Sequence, residues 1–340
     1  MTEPGQKLIS FCIPTYNRAQ YLRETLACIL PQLGPDVEVV ISDNASTDGT
    51  PEVVDKFQRR FSEIRYFSNG ANLGFDRNLL NCLEHASGEY VWFFGSDDLL
   101  DGDGVETVRH RILQSPKRPA LVYLNHQVVD NEGHLLIPDQ IGCQRDQEFS
   151  SAAKCVEWLG SNLGYMSALV LRRDLCLPFA RTGAFVGSGW IHLHLVLSCL
   201  LVDGSVQYIG SSLVRARRSI SPDYDLTKCF VEQADRVFWD ARRSGYPWLT
   251  IYRARNRTVR EQYLRFVLAW RCDAPDQLVR SFPVLLRTCW MYPWFWLLLV
   301  PLRFLPRWLA VWLRAKGQTL RARRCKNWQL QTVSPPSRWK

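Results

Sequence analysis

The chain has 340 residues, of which 46% are hydrophobic and 22% charged, and its formal net charge at pH 7 is +9. This length allows one complete α/β core and leaves about a third of the chain for a second part. Its eleven cysteines form no C-x-x-C pair and lie in apolar stretches, which argues against a metal or redox role for them. No secretory signal precedes Leu8, so we expect a reducing cytosolic setting.

The first half of the sequence alternates short apolar runs with segments of helical spacing, which predicts a mostly parallel sheet covered by helices. Strands are predicted at Leu8–Ile13, Val37–Ser42, Ile64–Phe67, Glu89–Phe94 and Ala120–His126, with helices over Arg18–Gln32, through Val53 to Phe57, and from Asn72 to about His85. Residues 130–150 are predicted to form a loop or hairpin. The next region contains a strand at Tyr165–Leu171 and a helix over Trp190–Leu201.

The acidic turn Ser96-Asp97-Asp98 directly follows the apolar run that ends at Phe94. Two adjacent carboxylates repel each other, so a divalent hard cation and a bound phosphate would stabilise the pair. A solvated turn that caps the next helix is the equally weighted alternative. Because ligands bind at the carboxyl ends of strands in open α/β sheets, this turn is the leading candidate site.

Polar residues also follow the first predicted strand, in the segment from Pro14 to Arg18. Thr15 and Asn17 could supply polar contacts, and Arg18 could bind a phosphate. An ordinary strand-to-helix turn capped by Asn17 explains the segment equally well.

Two further segments carry candidate residues. Asp43 follows the second predicted strand and could accept a hydrogen bond from a pyrimidine base, while Ser46 and Asp48 suit capping of the next helix. In the segment from Asn72 to Asn78, Arg77 lies near a helix start and could neutralise a phosphate.

Taken in order, the segments IPTYNR, VVISDNASTDGT, NLGFDRN and ASGEYVWFFGSDD are similar to the catalytic domain of glycosyltransferase family 2, across roughly residues 7–126. The resemblance implies a GT-A fold, a nucleoside-diphosphate sugar donor, and Mg²⁺ or Mn²⁺ on the acidic turn. It also implies roles for single residues: Pro14, Thr15, Asn17 and Arg18 line the nucleotide pocket, Asp43 contacts the base, Arg77 approaches the diphosphate, and Asp97 and Asp98 hold ribose and metal, with Asp98 the preferred metal ligand.

The sequence departs from the family where many members carry an acidic pair beside a Trp, one carboxylate acting as general base. Here the stretch is Gly187-Ser188-Gly189-Trp190-Ile191-His192, without a carboxylate. His192 is the nearest group with a suitable pKa to accept the acceptor proton. A histidine packed against the sheet is the alternative for His192.

The stretch GSGWIHLHLVL, with Leu213–Arg218 beyond it, is most similar to the abequosyltransferase-type branch of the family. That resemblance implies a CDP-dideoxyhexose donor such as CDP-abequose and a polyprenyl-diphosphate-linked oligosaccharide acceptor in O-antigen or other surface polysaccharide synthesis. The predicted organisation is a GT-A domain over residues 1–218, divided into a nucleotide-sugar half (1–126) and an acceptor half (127–218), and a helical, basic, Trp-rich region over 219–340.

This C-terminal region contains the most apolar window of the chain, Trp290–Leu302, which is shorter than the roughly twenty residues that cross a bilayer. Trp and Tyr favour the headgroup layer, and the region's cations favour anionic lipid. The cations in question are Arg303, Arg307, Arg314, Lys316, Arg321, Arg323, Arg324 and Lys326. We therefore predict a peripheral enzyme on the inner face of the cell membrane, with packing of a helical subdomain as the alternative.

Three other classes of protein share single features with this sequence. A dinucleotide-dependent oxidoreductase is disfavoured because no G-x-G-x-x-G follows a predicted strand. A nucleic-acid-binding protein would explain the basic tail but not the acidic turn, so no nucleic-acid partner is expected. A non-catalytic nucleotide-sugar sensor is compatible with the missing acidic pair near Trp190.

Overall fold

The computed structural model describes residues 7–218 and 225–317. Within these residues ten strands form one sheet: β1 (Ile9–Thr15), β2 (Val37–Asp43), β3 (Ile64–Ser68), β4 (Tyr90–Phe93), β5 (Leu99–Leu100), β6 (Leu121–Val129), β7 (Leu135–Ile137), β8 (Gln147–Phe149), β9 (Leu169–Arg172) and β10 (Val206–Arg217). The order is β3-β2-β1-β4-β9-β6-β10-β5, with β7 beside β6 and β8 beside β10.

The helices are α1 (Ala19–Ile29), α2 (Thr50–Gln58), α3 (Phe75–His85), α4 (Gly104–Gln114), α5 (Ala152–Leu159), α6 (Arg173–Ala180), α7 (Ile191–Val202), α8 (Ala234–Ser244), α9 (Trp248–Thr258), α10 (Leu264–Asp273), α11 (Pro275–Cys289) and α12 (Val300–Phe304). A further helix covers residues 307–317, and π-helical turns cover Thr227–Gln233, Val259–Tyr263 and Phe295–Leu299. Among the described residues, none of these helices has the length and apolarity to cross a bilayer.

The first half of the sheet is parallel, as the alternating pattern predicts: β1 pairs with β2 and β4, and β2 with β3. Strand β1 continues through Pro14 to Thr15, two residues beyond the end of the predicted strand. Pairing with β4 stops at Cys12, so at Pro14 only β2 still flanks the strand, and a residue without an N–H is tolerated there. The second half is mixed, because β9 runs antiparallel to both β4 and β6.

The main hydrophobic core surrounds the sheet and extends past Arg218, since α8 and α9 contribute buried side chains such as Phe238 and Ile251. A second core lies within the C-terminal helices. Tyr292 and Phe295, from the apolar window, are buried in it, whereas Trp290 is 58% exposed. One face of the apolar window thus packs in the core of the helical subdomain, and its other face is exposed to solvent. Within the described segments the cysteines are free, and most are buried, as expected.

Candidate active site

The predicted site residues of the first half meet at one edge of the sheet. Thr15 lies opposite Asp43 at the ends of β1 and β2, and the backbone N–H of Asn44 donates to the Thr15 carbonyl at 2.9 Å. The acidic turn follows β4, whose last residue pairs with Cys12 three positions before Thr15. The parallel order of these strands therefore brings together segments that are distant in sequence.

Asp98 is buried, with 5% of its surface exposed, and protein donors already occupy its carboxylate. Oδ2 accepts hydrogen bonds from the hydroxyls of Tyr165 at 2.8 Å and Ser167 at 2.5 Å. Oδ1 accepts one from the backbone N–H of Arg217 at 3.0 Å. The Thr25 hydroxyl of α1 also donates a hydrogen bond to the backbone carbonyl of Asp98 at 2.8 Å. Asp98 is thus a fixed part of the turn.

Burial first, and the charge of neighbouring Asp97 second, raise the pKa of Asp98 to about 7. The three hydrogen bonds favour the ionised form but do not offset this desolvation. A cation beside the turn would oppose both effects, because it would stabilise the negative charge on Asp98.

Asp97 has the more accessible carboxylate of the pair, and its Oδ2 lies 3.7 Å from the Arg18 guanidinium. Gly95 allows both carboxylates to approach its backbone. A Cβ at this position would lie 2.9 Å from Asp98 Oδ2 and 3.1 Å from Asp97 Oδ1. In this structure Asp97 therefore has more solvent-accessible surface than Asp98, and the choice of Asp98 as the preferred metal ligand stays a prediction.

The turn from Pro14 to Arg18 is tied to the turn after β2. The backbone N–H of Asn17 donates to Ser46 Oγ at 2.8 Å, and its side-chain oxygen accepts from the Thr47 N–H at 2.8 Å. Asn17 has a positive φ of 50°, a conformation that Asn adopts more readily than most residues. The Thr15 hydroxyl is buried without a hydrogen-bond partner among the described residues. Asn17 therefore shapes this edge through the backbone of both turns.

Asp43, which is predicted to contact the base, is fully buried in this structure. Its Oδ1 accepts from the Ser46 backbone N–H at 3.0 Å and hydroxyl at 2.5 Å, and its Oδ2 accepts from the Tyr66 hydroxyl at 2.6 Å. Asp43 thus fixes Tyr66, which is only partly buried on β3. No local pattern around Asp43 indicates this contact with β3.

Arg77 lies exposed in the first turn of α3, beside Asn78, whose side-chain amide donates to the Thr15 carbonyl at 3.2 Å. Its neighbour Asp76 points the other way and is buried. The Asp76 carboxylate accepts the backbone N–H of Gly189 at 2.8 Å and of Ile191 at 3.3 Å. Asp76 therefore supplies a carboxylate to the start of α7 from a distant part of the sequence, where its negative charge favours the helix.

His192, the predicted general base, lies in the core and is 5% exposed. Its Nε2 lies 2.9 Å from the Gly164 carbonyl, and its ring packs beside Trp190 and Phe75. Burial lowers its pKa, so the imidazole is neutral at pH 7. The helix α7 is apolar around its whole circumference, and this was the sequence signal for burial. The burial fits the alternative of a histidine packed against the sheet, and the role of His192 as general base stays a prediction.

A cleft of about 1210 Å³ separates the sheet from the C-terminal helices. Tyr165, which binds Asp98, and Trp190 belong to its lining, as do Phe230 and Phe266 on the helical side. A group of potential metal ligands, Asp130, Glu132 and His134, lies in the hairpin between β6 and β7. It is separate from the acidic turn, and two of its members are exposed.

Residues 10–138 match the family model described as Glycosyl transferase family 2. The matched residues 10–138 form a glycosyltransferase family 2 domain. The family 2 match spans β1 to β7 and includes the acidic turn, and the resemblance inferred from the four sequence segments is confirmed.

A relative and two solved structures are also similar to this chain. Abequosyltransferase RfbV of Salmonella typhimurium is 30% identical over 239 residues, which cover 62% of this chain and 66% of that protein. The structure of S. aureus TarS 1–349 in complex with UDP-GlcNAc superposes with a TM-score of 0.62 at 16% identity, covering 83% of this chain and 81% of that one. The mannosyltransferase PcManGT from Pyrobaculum calidifontis, in complex with GDP-Man and Mn²⁺, gives 0.54 at 17% identity over 95% and 88%. The fold is therefore GT-A, as predicted.

Proposed function

We propose that this protein is a divalent-metal-dependent glycosyltransferase that moves a sugar from a nucleoside-diphosphate donor to a hydroxyl of a lipid-linked oligosaccharide. The observation that carries the proposal is the position of the Asp97–Asp98 turn at the sheet edge where β1, β2 and β4 end, beside Arg18. An accessible carboxylate, a second buried carboxylate and a cation within one small region suit a metal-bound diphosphate.

Asp97 would hold Mg²⁺ or Mn²⁺, with Asp98 fixed behind it by Tyr165, Ser167 and the Arg217 backbone. The donor set fits, because these ions bind through one or two carboxylates together with substrate phosphates. When bound, the ion supplies positive charge that offsets the charge developing on the leaving nucleoside diphosphate.

The nucleotide would lie along the edge formed by Pro14, Thr15 and Asn17. Arg18 is close enough to Asp97 to bind a phosphate beside the metal, and Arg77 is exposed on the α3 side of the same edge. Asp43 would act on the base through Tyr66 and Ser46, whose hydroxyls it holds. Each of these contacts is a proposal for this chain.

For the donor we favour a CDP-dideoxyhexose such as CDP-abequose, with activity in O-antigen or related surface polysaccharide synthesis. The similarity to Abequosyltransferase RfbV over 239 residues supports this choice. The acceptor would be a polyprenyl-diphosphate-linked oligosaccharide.

Attachment to the inner face of the membrane is supported by the solvent-facing side of the C-terminal helices. Large apolar side chains are exposed there, including Trp308 at 71% and Phe304 at 72%. Arg303 and Arg307 lie in the same segment, so anionic headgroups would bind next to the apolar face. The predicted cations Arg321, Arg323, Arg324 and Lys326 lie outside the described residues.

A non-catalytic nucleotide-sugar sensor is the second candidate. Residues 187–192 lack a carboxylate, and His192 is buried against the Gly164 carbonyl. A sensor would bind donor and metal without releasing nucleoside diphosphate.

The test is release of nucleoside diphosphate from CDP-, UDP-, GDP- and dTDP-sugars by the purified protein, with Mn²⁺ or with EDTA. We expect metal-dependent release from one nucleotide class and its loss in Asp97→Asn. Asp103→Asn is the matched control, because Asp103 is an exposed carboxylate a few residues beyond the turn. Metal-dependent binding without release would favour the sensor, and full activity of Asp97→Asn would overturn the assignment of the metal ligand.

A further inference from the structure

The cleft between the sheet and the C-terminal helices is lined by both polar and apolar side chains. On the sheet side, His126 and Tyr165 stack with their ring centroids 4.0 Å apart. On the helical side, Phe230, Phe266 and Leu313 line the cavity together with charged side chains. With about 1210 Å³ of volume, the cleft is larger than most small-molecule pockets and suits a large ligand that has both polar and apolar parts.

Arg218 gives this cleft a positive charge. It lies at the end of β10 and is exposed. Among the other charged groups of the lining, Arg314 pairs with Asp273, Glu261 pairs with Arg257 and Arg260, and Arg265 also interacts with another group. Arg218 thus offers a positive charge to an anionic group in the cleft.

Two residues connect the cleft with the proposed catalytic turn. Tyr165 lines the cavity while its hydroxyl binds Asp98 at 2.8 Å. Arg217, whose backbone N–H also binds Asp98, directly precedes Arg218. A ligand bound at Arg218 would therefore lie beside the acidic turn.

At its other end the cleft meets the exposed apolar surface of the C-terminal helices. The helix over residues 307–317 contributes Leu313 and Arg314 to the cavity, while Trp308 and Trp312 face solvent. Lys316 lies over the Trp312 ring at 4.3 Å, which places a cation at the border of the apolar surface. One helix thus separates a membrane-suited surface from the cavity.

We infer that this cleft binds the acceptor lipid, with a polyprenyl chain against Phe230, Phe266 and Leu313 and its diphosphate on Arg218. The inference rests on the proposed function and adds the location of the acceptor site and the residue that recognises the anionic group. An anionic lipid enters this cavity from the bilayer surface along the helix over 307–317, and its diphosphate stops close to the Asp98 turn.

Equilibrium binding of the full chain to phosphatidylcholine nanodiscs tests the inference. The nanodiscs contain undecaprenyl diphosphate, undecaprenol or neither, and inorganic diphosphate is added as a soluble competitor. We expect binding that requires both the polyprenyl chain and the diphosphate. Arg218→Gln should weaken it by about tenfold or more, since a charge-assisted hydrogen bond is lost. Leu313→Gln should weaken it through the apolar wall, and the control Arg243→Gln, at an exposed arginine of α8, should not.

Wild-type affinity of Arg218→Gln would overturn the inference, as would equal binding of undecaprenol and undecaprenyl diphosphate. Inorganic diphosphate that competes as strongly as the lipid would assign Arg218 to a soluble anion and overturn it too. Because the experiment needs neither donor nor turnover, its failure is distinguishable from a failure of nucleoside diphosphate release, which tests the enzyme itself.

Discussion

Replacing Asp98 with asparagine should change how the stability of the protein depends on pH. The pKa of Asp98 rises from 3.8 to about 7 on folding, because of burial first and the charge of Asp97 second. Between these values the folded state binds more protons than the unfolded state, so the free energy of unfolding falls as pH rises from about 4 to about 7. Most carboxylates in proteins have the opposite effect.

The size of the effect follows from the two pKa values. The full difference corresponds to about 4 kcal/mol, at about 1.4 kcal/mol per pKa unit. Between pH 5 and pH 8, the part lost amounts to about 2–3 kcal/mol. Asp98→Asn does not titrate, so its stability should lack this component whatever the substitution costs at a single pH.

Urea denaturation in EDTA, at intervals from pH 5 to pH 8, measures the effect. Wild type should lose about 2–3 kcal/mol more than Asp98→Asn across this range. In the variant, the amide NH₂ would face the Arg217 N–H and cost stability at every pH. This cost does not affect the comparison, which uses only the change of the free energy of unfolding with pH. Parallel pH profiles for the two proteins would refute the reasoning, since Asp98 would then be ionised in the folded state throughout.

Three further substitutions test other parts of the structure. Tyr66→Phe leaves one buried oxygen of Asp43 without its donor and should cost about 1–3 kcal/mol in urea denaturation; no loss would mean that the contact at 2.6 Å contributes nothing. Asp76→Ala removes the cap of α7 and should cost about 1–2 kcal/mol, with an unchanged midpoint contradicting the capping role. Arg255→Met removes the buried cation that pairs with the partly buried Asp235 and should cost about 3–5 kcal/mol, most of which the added change Asp235→Leu should recover; an equally unstable double variant would contradict this.

The elements predicted from the sequence are those whose pattern is local. The apolar runs of β1, β2 and β4 appear within about two residues of their predicted positions. Because these strands are parallel, the polar residues after each one meet at a shared edge, and this was deducible without coordinates.

The sequence could not supply contacts between distant segments. Tyr165 and Ser167 reach Asp98 across 67 and 69 residues because β9 inserts antiparallel between β4 and β6. Asp76 and Gly189 are 113 residues apart. The burial of His192 also depends on packing: residue type alone suggested a base, whereas the apolar neighbours on every side of α7 bury the ring.

The acidic turn divides two requirements between adjacent residues. A metal ligand must be accessible, while the backbone that carries it must be rigid, and one carboxylate cannot readily satisfy both. Asp98 fixes the turn by accepting three hydrogen bonds, at the cost of a raised pKa, and Asp97 remains accessible beside Arg18. Since a cation at Asp97 would favour ionised Asp98, metal binding would strengthen the hydrogen bonds to Tyr165 and the Arg217 backbone. Both segments border the proposed acceptor cleft, so donor metal and acceptor lipid would act on one hydrogen-bonded unit.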